Sequence, residues 1–242
     1  MKMDQDTFCT QMRKATREIH TISDKLVNAK LAFGFLDNSV WADGLLVFYE
    51  VFRYLELAMV RWKHTEIGLF LHDKLSRTEA FERDLEFYLG KEWTKNYRPR
   101  DSVAKYLIHL KEVENRDPIL LLAYIYHLYM GLLSGGIILR KKRQFMQKIW
   151  PFKQSETNGN NVTNFDDIYE LKRYIRDTMN KIGATLDEDR KNKLIEESKT
   201  VFMLNNEIIR SVKGSETVLL KKIACFIIPA MLVLFVLLGS YK

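Results

Sequence analysis

The sequence predicts an all-α protein with one main domain followed by a separate apolar segment. Apolar residues recur every three or four positions along most of the chain, and no strand-type alternation of convincing length appears. With 242 residues, 47% hydrophobic residues and four prolines, the composition fits one packed helical domain. We place this domain at residues 1–214 and the apolar segment at residues 215–242.

The first predicted helix, residues 6–29, is amphipathic. Its apolar side chains are Phe8, Met12, Ala15, Ile19, Ile22 and Leu26. A second face carries Arg13, Arg17 and His20, with Asp24 one turn further on. An imidazole can bind iron through one ring nitrogen while the other donates to a carboxylate, and the cations suit anionic groups of the same ligand. The alternative is an exposed basic face with an incidental histidine.

More helices follow in chain order. An aromatic-rich helix is predicted from Trp41 to Trp62, after a start signal at residues 37–39. A polar, turn-rich stretch at residues 153–165 predicts a loop. The shorter helices before this loop are expected at residues 64–76, 78–90 and 101–114, and the helices after it at residues 166–181 and 186–212.

A long, nearly all-apolar helix is predicted from residue 118 to about residue 148. Asp117 suits its cap and Pro118 its first turn. The helix contains three glycines within six residues, Gly131, Gly135 and Gly136. Each glycine in a helix interior costs about 1 kcal/mol relative to alanine. They indicate a backbone that bends or that something flat approaches closely, with close helix packing as the other interpretation.

The net charge of +7 points to an anionic ligand or surface. Nucleic acid is the weakest candidate, since the chain has neither zinc-finger spacing nor an aromatic RNA-binding motif. Cys9 and Cys225 are the two cysteines of the sequence, which allows no disulfide framework and favours a reducing compartment.

The apolar segment predicts a C-terminal membrane anchor. Residues Ile223 to Gly239 are seventeen residues without a charge, with lysines on both sides. This length is at the short end for a membrane-spanning helix. The main domain is then expected to face the cytosol. The alternative is a buried C-terminal core helix.

Three segments carry a family resemblance when they are taken together and in order. They are Arg17-Glu-Ile-His20-Thr, Tyr129-Met-Gly131-Leu-Leu-Ser134-Gly135-Gly136, and Glu196-Glu-Ser-Lys-Thr-Val-Phe202-Met-Leu-Asn205. The sequence resembles heme oxygenase over roughly residues 8 to 213, and in particular the insect branch of that family. The resemblance implies heme between a proximal and a kinked distal helix of a single multi-helix domain, plus a C-terminal transmembrane helix.

The resemblance also implies roles for individual residues. His20 matches the iron ligand, and Asp24 the carboxylate beside it. The implied heme-binding residues are Arg13, Tyr126, Gly136, Lys172, Arg176 and Phe202, of which the three cations match residues that meet the propionates. The implied catalytic residues are Gly131, Gly135 and Asn205.

The implied activity is oxidative cleavage of heme to biliverdin with release of carbon monoxide and ferrous iron. Heme is then both cofactor and substrate, and the electrons come from an NADPH-cytochrome P450 reductase type of flavoprotein. The expected location is the cytosolic face of the endoplasmic reticulum membrane. The basic run from Lys141 to Arg143 is a candidate docking surface for the reductase, with a solvated helix end as the alternative.

The sequence departs from the family pattern on the distal side. Many members carry an aspartate where this chain has Leu132, and a distal arginine and a tyrosine are matched by Leu128 and Phe52. His127 replaces a smaller polar residue. These changes predict a drier pocket with weaker proton delivery, slower turnover and a looser choice of meso carbon.

Two other functions are compatible with these residues. The first is a tail-anchored protein that binds or sequesters heme without turning it over, which the apolar distal positions favour. The second is an all-α, tail-anchored interaction protein without heme.

Overall fold

The computed structural model describes residues 7–32, 37–95, 97–149 and 158–214. Within these ranges it contains helices and no β-strand, as predicted. The α-helices are α1 (Phe8–Ala15), α2 (Arg17–Ala32), α3 (Asn38–Arg61), α4 (Thr78–Leu89), α5 (Asp101–Arg116), α6 (Leu121–Gly131), α7 (Ile137–Ile149), α8 (Ile168–Thr185) and α9 (Glu188–Arg210). The predicted anchor at residues 215–242 lies outside the described residues.

Several helices begin at side-chain caps that can be recognised in the sequence. Asp37 accepts a hydrogen bond from the backbone N–H of Ser39 at 2.8 Å, and Asp187 accepts one from that of Arg190 at 2.7 Å. Asp117 caps a 3₁₀ turn, Pro118–Leu120, that leads into α6. Each cap satisfies an N–H group that the helix itself leaves unpaired.

Helix α6 lies at the centre of the domain. Every residue from Leu121 to Tyr126 is buried, and α6 contacts α3, α5, α8 and α9. Among the described residues, the stretch Pro118–Lys148 is long and apolar enough to cross a membrane by length and composition. Its packing inside the domain accounts for that apolar character, since a helix that is apolar all round must be enclosed.

Two predicted elements differ from the structure. The helix expected at residues 6–29 is divided into α1 and α2 at Thr16, whose hydroxyl donates to the carbonyl of Met12 at 2.8 Å. Such a bond competes with regular helix geometry. The helix expected at 64–76 is a short 3₁₀ turn, Glu66–Phe70. A side chain at Gly68 would lie 2.2 Å from the carbonyl oxygen of Lys63, so this tight turn requires glycine.

The glycine-bearing helix changes its winding where the glycines occur. A π-helical turn, Leu132–Gly136, separates α6 from α7. Such turns interrupt the regular i to i−4 bonding and are frequent at functional sites. The three glycines therefore mark a local change of helix geometry as well as a lack of side chains.

The basic run on α7 is divided between surface and interior. Lys141 and Lys142 are exposed, but Arg143 is fully buried. The expectation that Arg143 belongs to a solvent-facing docking surface is therefore wrong. Helical periodicity is the reason, because three consecutive residues cannot all lie on one helix face.

Candidate functional site

His20 lies on α2 with its ring about half exposed. Its Nδ1 atom is 3.1 Å from Oδ2 of Asp24, one helix turn further on. Among the described residues, no side chain bonds to the other ring nitrogen, Nε2. A carboxylate on one nitrogen fixes the orientation of the ring and leaves the second nitrogen available to a metal.

Phe202 connects His20 with the central helix. Its ring centroid lies 5.2 Å from that of His20 and 5.1 Å from that of His127, in edge-to-face contacts. Phe202 belongs to α9 and His127 to α6, so three helices meet at these rings. The Nε2 atom of His127 is buried and has no hydrogen-bond partner in the part of the chain that the structure describes. Burial, with a smaller contribution from the neighbouring His20, lowers the pKa of His127 to about 3.

Gly131 and Gly135 form an open helix face beside these rings. A β-carbon added to either glycine would meet no atom of another part of the chain within 4 Å. His127 is four residues before Gly131 and shares this face, whereas Leu133 on the opposite side is buried. The open face therefore adjoins the contacts that lead through Phe202 to His20. At these two positions no side chain would separate a ligand from the helix backbone.

Gly136 has a different environment from the other two glycines. A β-carbon there would lie 2.9 Å from Cδ1 of Leu132 and 3.4 Å from Cγ2 of Thr163. Packing within the domain thus accounts for this glycine, and its contact with a ligand stays a prediction. The side chain of Leu132 lies close to the backbone of the π-helical turn.

The residues predicted to meet the propionates come from three helices. Tyr126 on α6 is buried, and its burial raises the pKa of its hydroxyl, while the positive charges of Arg176 and Arg13 act against that rise. Lys172 is one turn before Arg176 on α8 and is partly exposed. Within the described part of the chain, none of these three cations has an ion-pair partner.

Asn205 is held by a buried tyrosine. The hydroxyl of Tyr106 donates to Oδ1 of Asn205 at 3.2 Å. Burial raises the pKa of Tyr106, so its hydroxyl stays a neutral donor at physiological pH. The sequence singled out Asn205 but not Tyr106, which lies ninety-nine residues earlier in the chain.

A second polar cluster lies between α5, α6 and α9. The hydroxyl of Tyr124 donates to Oε2 of Glu197 at 2.5 Å, and Nε2 of His109 is 2.7 Å from the same hydroxyl. Arg116 donates to the other oxygen of Glu197 at 2.6 Å. His109 is therefore part of this cluster and not a freely solvated side chain. Its partners are distant in sequence, and no local pattern indicates them.

The apolar substitutions on the distal side are packed into the domain. Phe52 and Leu128 are buried. The ring of Phe52 lies 5.3 Å from that of Tyr129 and 5.2 Å from that of Phe81. The three rings pack against one another, and Phe52 brings no polar atom to this cluster. The expectation of a drier pocket stays a prediction.

These features describe an all-α protein in which the open face at Gly131 and Gly135 lies beside the ring contacts of His127, Phe202 and His20. The model of the family described as heme oxygenase matches residues 6–211, most of the chain. The chain belongs to the heme oxygenase family.

Individual proteins agree with this assignment. A heme oxygenase of Rhodella violacea is 27% identical over 220 residues, covering 90% of each sequence. The crystal structure of heme oxygenase 2 from Chlamydomonas reinhardtii without heme has a TM-score of 0.75 at 27% identity, covering 85% of this chain and 97% of the other. Heme oxygenase-2 from Synechocystis sp. PCC 6803 in complex with heme and NO has a TM-score of 0.72 at 26% identity, covering 88% and 90%.

The burial of His127 should make the heme-free protein less stable in acid. Its ordinary pKa is 6.5 and its folded pKa is about 3, so between these values the unfolded chain binds one more proton. Lowering the pH through this window therefore destabilises the fold, by about 1.4 kcal/mol per pH unit. In urea unfolding at pH 6, 5 and 4, the free energy of unfolding should depend on pH less steeply in His127→Thr than in wild type, by about 1.4 kcal/mol per pH unit.

The matched control for this experiment is His64→Thr, because His64 is exposed. It should keep the wild-type pH dependence. Equal slopes in wild type and His127→Thr would contradict the assignment of His127 as a buried neutral imidazole.

Proposed function

We propose that this protein is a heme oxygenase, which cleaves heme oxidatively to biliverdin and releases carbon monoxide and ferrous iron. The observation that carries this proposal is the open face at Gly131 and Gly135, beside the ring contacts that lead to His20. When bound, heme supplies the redox-active iron and is itself the carbon skeleton that is opened. The protein has to hold the ring, control access to it and limit water.

Residues of α1, α2 and α8 would hold the iron and the propionates. His20 would bind through Nε2, while Asp24 keeps the proton on Nδ1 and orients the imidazole. Arg13, Lys172 and Arg176 would meet the propionates, since cations without ion-pair partners are suited to carboxylates.

The α6 side would leave room for dioxygen and supply few protons. Gly131 and Gly135 would present backbone rather than side chains to the ring, which would leave space for a small molecule. Asn205, oriented by Tyr106, supplies a polar group on α9. Leu128 and Phe52 are buried and apolar, and Leu132 replaces an acid with an alkyl group. Proton delivery therefore depends on fewer groups than in members with the aspartate.

The test is turnover with product analysis. Haemin, the full chain, an NADPH-dependent flavoprotein reductase and NADPH are incubated in air, and the products are separated by chromatography. Biliverdin with one equivalent each of carbon monoxide and ferrous iron would confirm the function. Intact heme on a protein that binds it tightly would overturn it and favour the sequestering alternative, which the apolar distal residues suggest.

The apolar side chain at Leu132 should determine which biliverdin isomers form and how fast. Without a carboxylic acid at this position, wild type should give a mixture of biliverdin isomers at a low rate. Leu132→Asp should be faster by about 100-fold, the low end of the contribution of a positioned proton donor, and should favour one isomer. Leu132→Asn is the matched control, since it is similar in shape but not acidic. A single isomer at a high rate from wild type would contradict this prediction.

The proposal includes a membrane location and a reductase partner. The uncharged run Ile223 to Gly239, flanked by lysines, supports a C-terminal anchor in the endoplasmic reticulum membrane with the domain on the cytosolic face. A flavoprotein reductase of the NADPH-cytochrome P450 reductase type would supply electrons there, and the exposed Lys141 and Lys142 are candidates for its docking surface. Alkaline extraction should leave the full chain in the membrane and release a chain ending at residue 214. Release of both would exclude the anchor.

A further inference from the structure

We propose that Arg143 and Gln147 form a buried binding site for a small monovalent anion, with chloride as the expected occupant. The site lies between α7 and the first turn of α3. It is separate from the residues assigned to heme, and the proposal holds whether or not the protein turns heme over.

Arg143 is a buried cation with incomplete hydrogen bonding. Its side chain is fully buried, and Nη2 donates to Oδ1 of Asn38 at 2.6 Å. Its Nε and Nη1 atoms are buried, and neither has a hydrogen-bond partner among the described residues. In the described part of the chain, no carboxylate forms an ion pair with it. Arginine cannot lose its charge at physiological pH, so neutralisation by deprotonation is not available.

The aromatic neighbours determine how a partner can approach. The guanidinium carbon lies 5.0 Å from the ring centre of Trp41 and 5.5 Å from that of Tyr88. Both rings interact with the cation through their electron-rich faces, which do not attract an anion. A counter-ion must therefore approach Arg143 at the edge of the guanidinium plane, where Nε and Nη1 carry their hydrogens.

Two further polar groups at this place also have no partner within the described ranges. Gln147 is four residues after Arg143 on α7 and is 1% exposed, and its Oε1 atom is buried and unbonded. The indole Nε1 of Trp41, the ring beside the guanidinium, is buried and unbonded as well. The oxygen and nitrogen of an amide are nearly equal in shape, so a rotation of the Gln147 amide would offer N–H donors.

The charge decides between an anion and water as the occupant. A water molecule could satisfy single hydrogen bonds, but it would leave the positive charge of Arg143 uncompensated in the interior, which is strongly unfavourable. A compact anion satisfies the donors and the charge together. Because one cation is enclosed, a monovalent anion leaves the site neutral. Arg140, three residues earlier, also has a buried and unbonded Nε, which adds positive potential.

Anion-dependent stability tests the proposal. Thermal unfolding of the full chain is measured in chloride and in gluconate at equal ionic strength, because gluconate is too large for a buried site. Above the dissociation constant, the folding equilibrium constant should rise about tenfold for each tenfold increase in chloride, since one ion binds only the folded state. Bromide should act like chloride. Arg143→Leu should show no difference between the salts, and Lys142→Leu, an exposed neighbour, should behave like wild type.

A direct measurement covers the case in which Arg143→Leu does not fold. Crystals of the wild-type protein grown in bromide should show an anomalous peak in contact with Nε or Nη1 of Arg143. A water molecule at that position, or identical unfolding of wild type in chloride and gluconate, would overturn the proposal.

Discussion

Replacing His20 with alanine should abolish the heme spectrum of the wild-type protein and lower turnover at least about 100-fold. Loss of a residue that only orients a metal ligand already costs 10- to 100-fold, and His20 is placed as the ligand itself. The fold should not suffer, because His20 is an exposed residue and surface substitutions usually change stability by less than about 0.5 kcal/mol. Absorption spectra of the ferric heme complex and the thermal unfolding of the heme-free protein measure the two effects separately.

Added imidazole should partly restore the spectrum of His20→Ala, because it can occupy the space of the missing side chain. His64→Ala is the control, since His64 is exposed and belongs to no element of the proposed site. An unchanged spectrum and affinity in His20→Ala would exclude His20 as the iron ligand. That result would leave the open glycine face to be explained by another ligand.

Substitutions of Gly131 should affect stability and heme binding in opposite directions. Gly131 has ordinary helical angles, φ −62° and ψ −46°, and open space beside its α-carbon. Gly131→Ala should therefore stabilise the heme-free protein by up to about 1 kcal/mol, because alanine favours the helix. Gly131→Leu should also fold, but its side chain would fill the place of the ring and prevent heme binding. Unfolding curves and haemin titrations give the two quantities.

Gly136→Ala is the informative comparison for this series. Its β-carbon would meet the end of the flexible Leu132 side chain at 2.9 Å, so the variant should fold with a small adjustment. Its effect on heme affinity should be smaller than that of Gly131→Leu. If Gly131→Leu bound haemin as tightly as wild type, the open face of α6 would not be the heme site.

Much of the fold was predictable because it depends on local chemistry. Apolar periodicity located most helices, and caps such as Asp117, followed by Pro118, marked where they begin. The two exceptions also have local causes, but the sequence indicates them less clearly. Thr16 divides the first helix through a side-chain bond to its own backbone, and Gly68 permits a tight turn where a helix was expected.

The candidate site was predictable in part for the same reason. His20 and Asp24 are one turn apart on one helix, so their contact follows from spacing alone. The contact of His127 with Phe202 joins two helices and has no such signal. The partner of Asn205, Tyr106, was missed for this reason too.

By itself, the sequence determined which residues form helices, where three glycines interrupt one of them, and which face carries His20. The tertiary structure alone decided which faces meet. Gly131 and Gly135 lie open, whereas Leu132 packs beside Gly136. Arg143 is buried, although it belongs to a basic run that looks solvent-exposed in the sequence. The physical reason is that periodicity specifies the apolar face of each helix, whereas the contacts of that face depend on the register and angle at which distant helices pack.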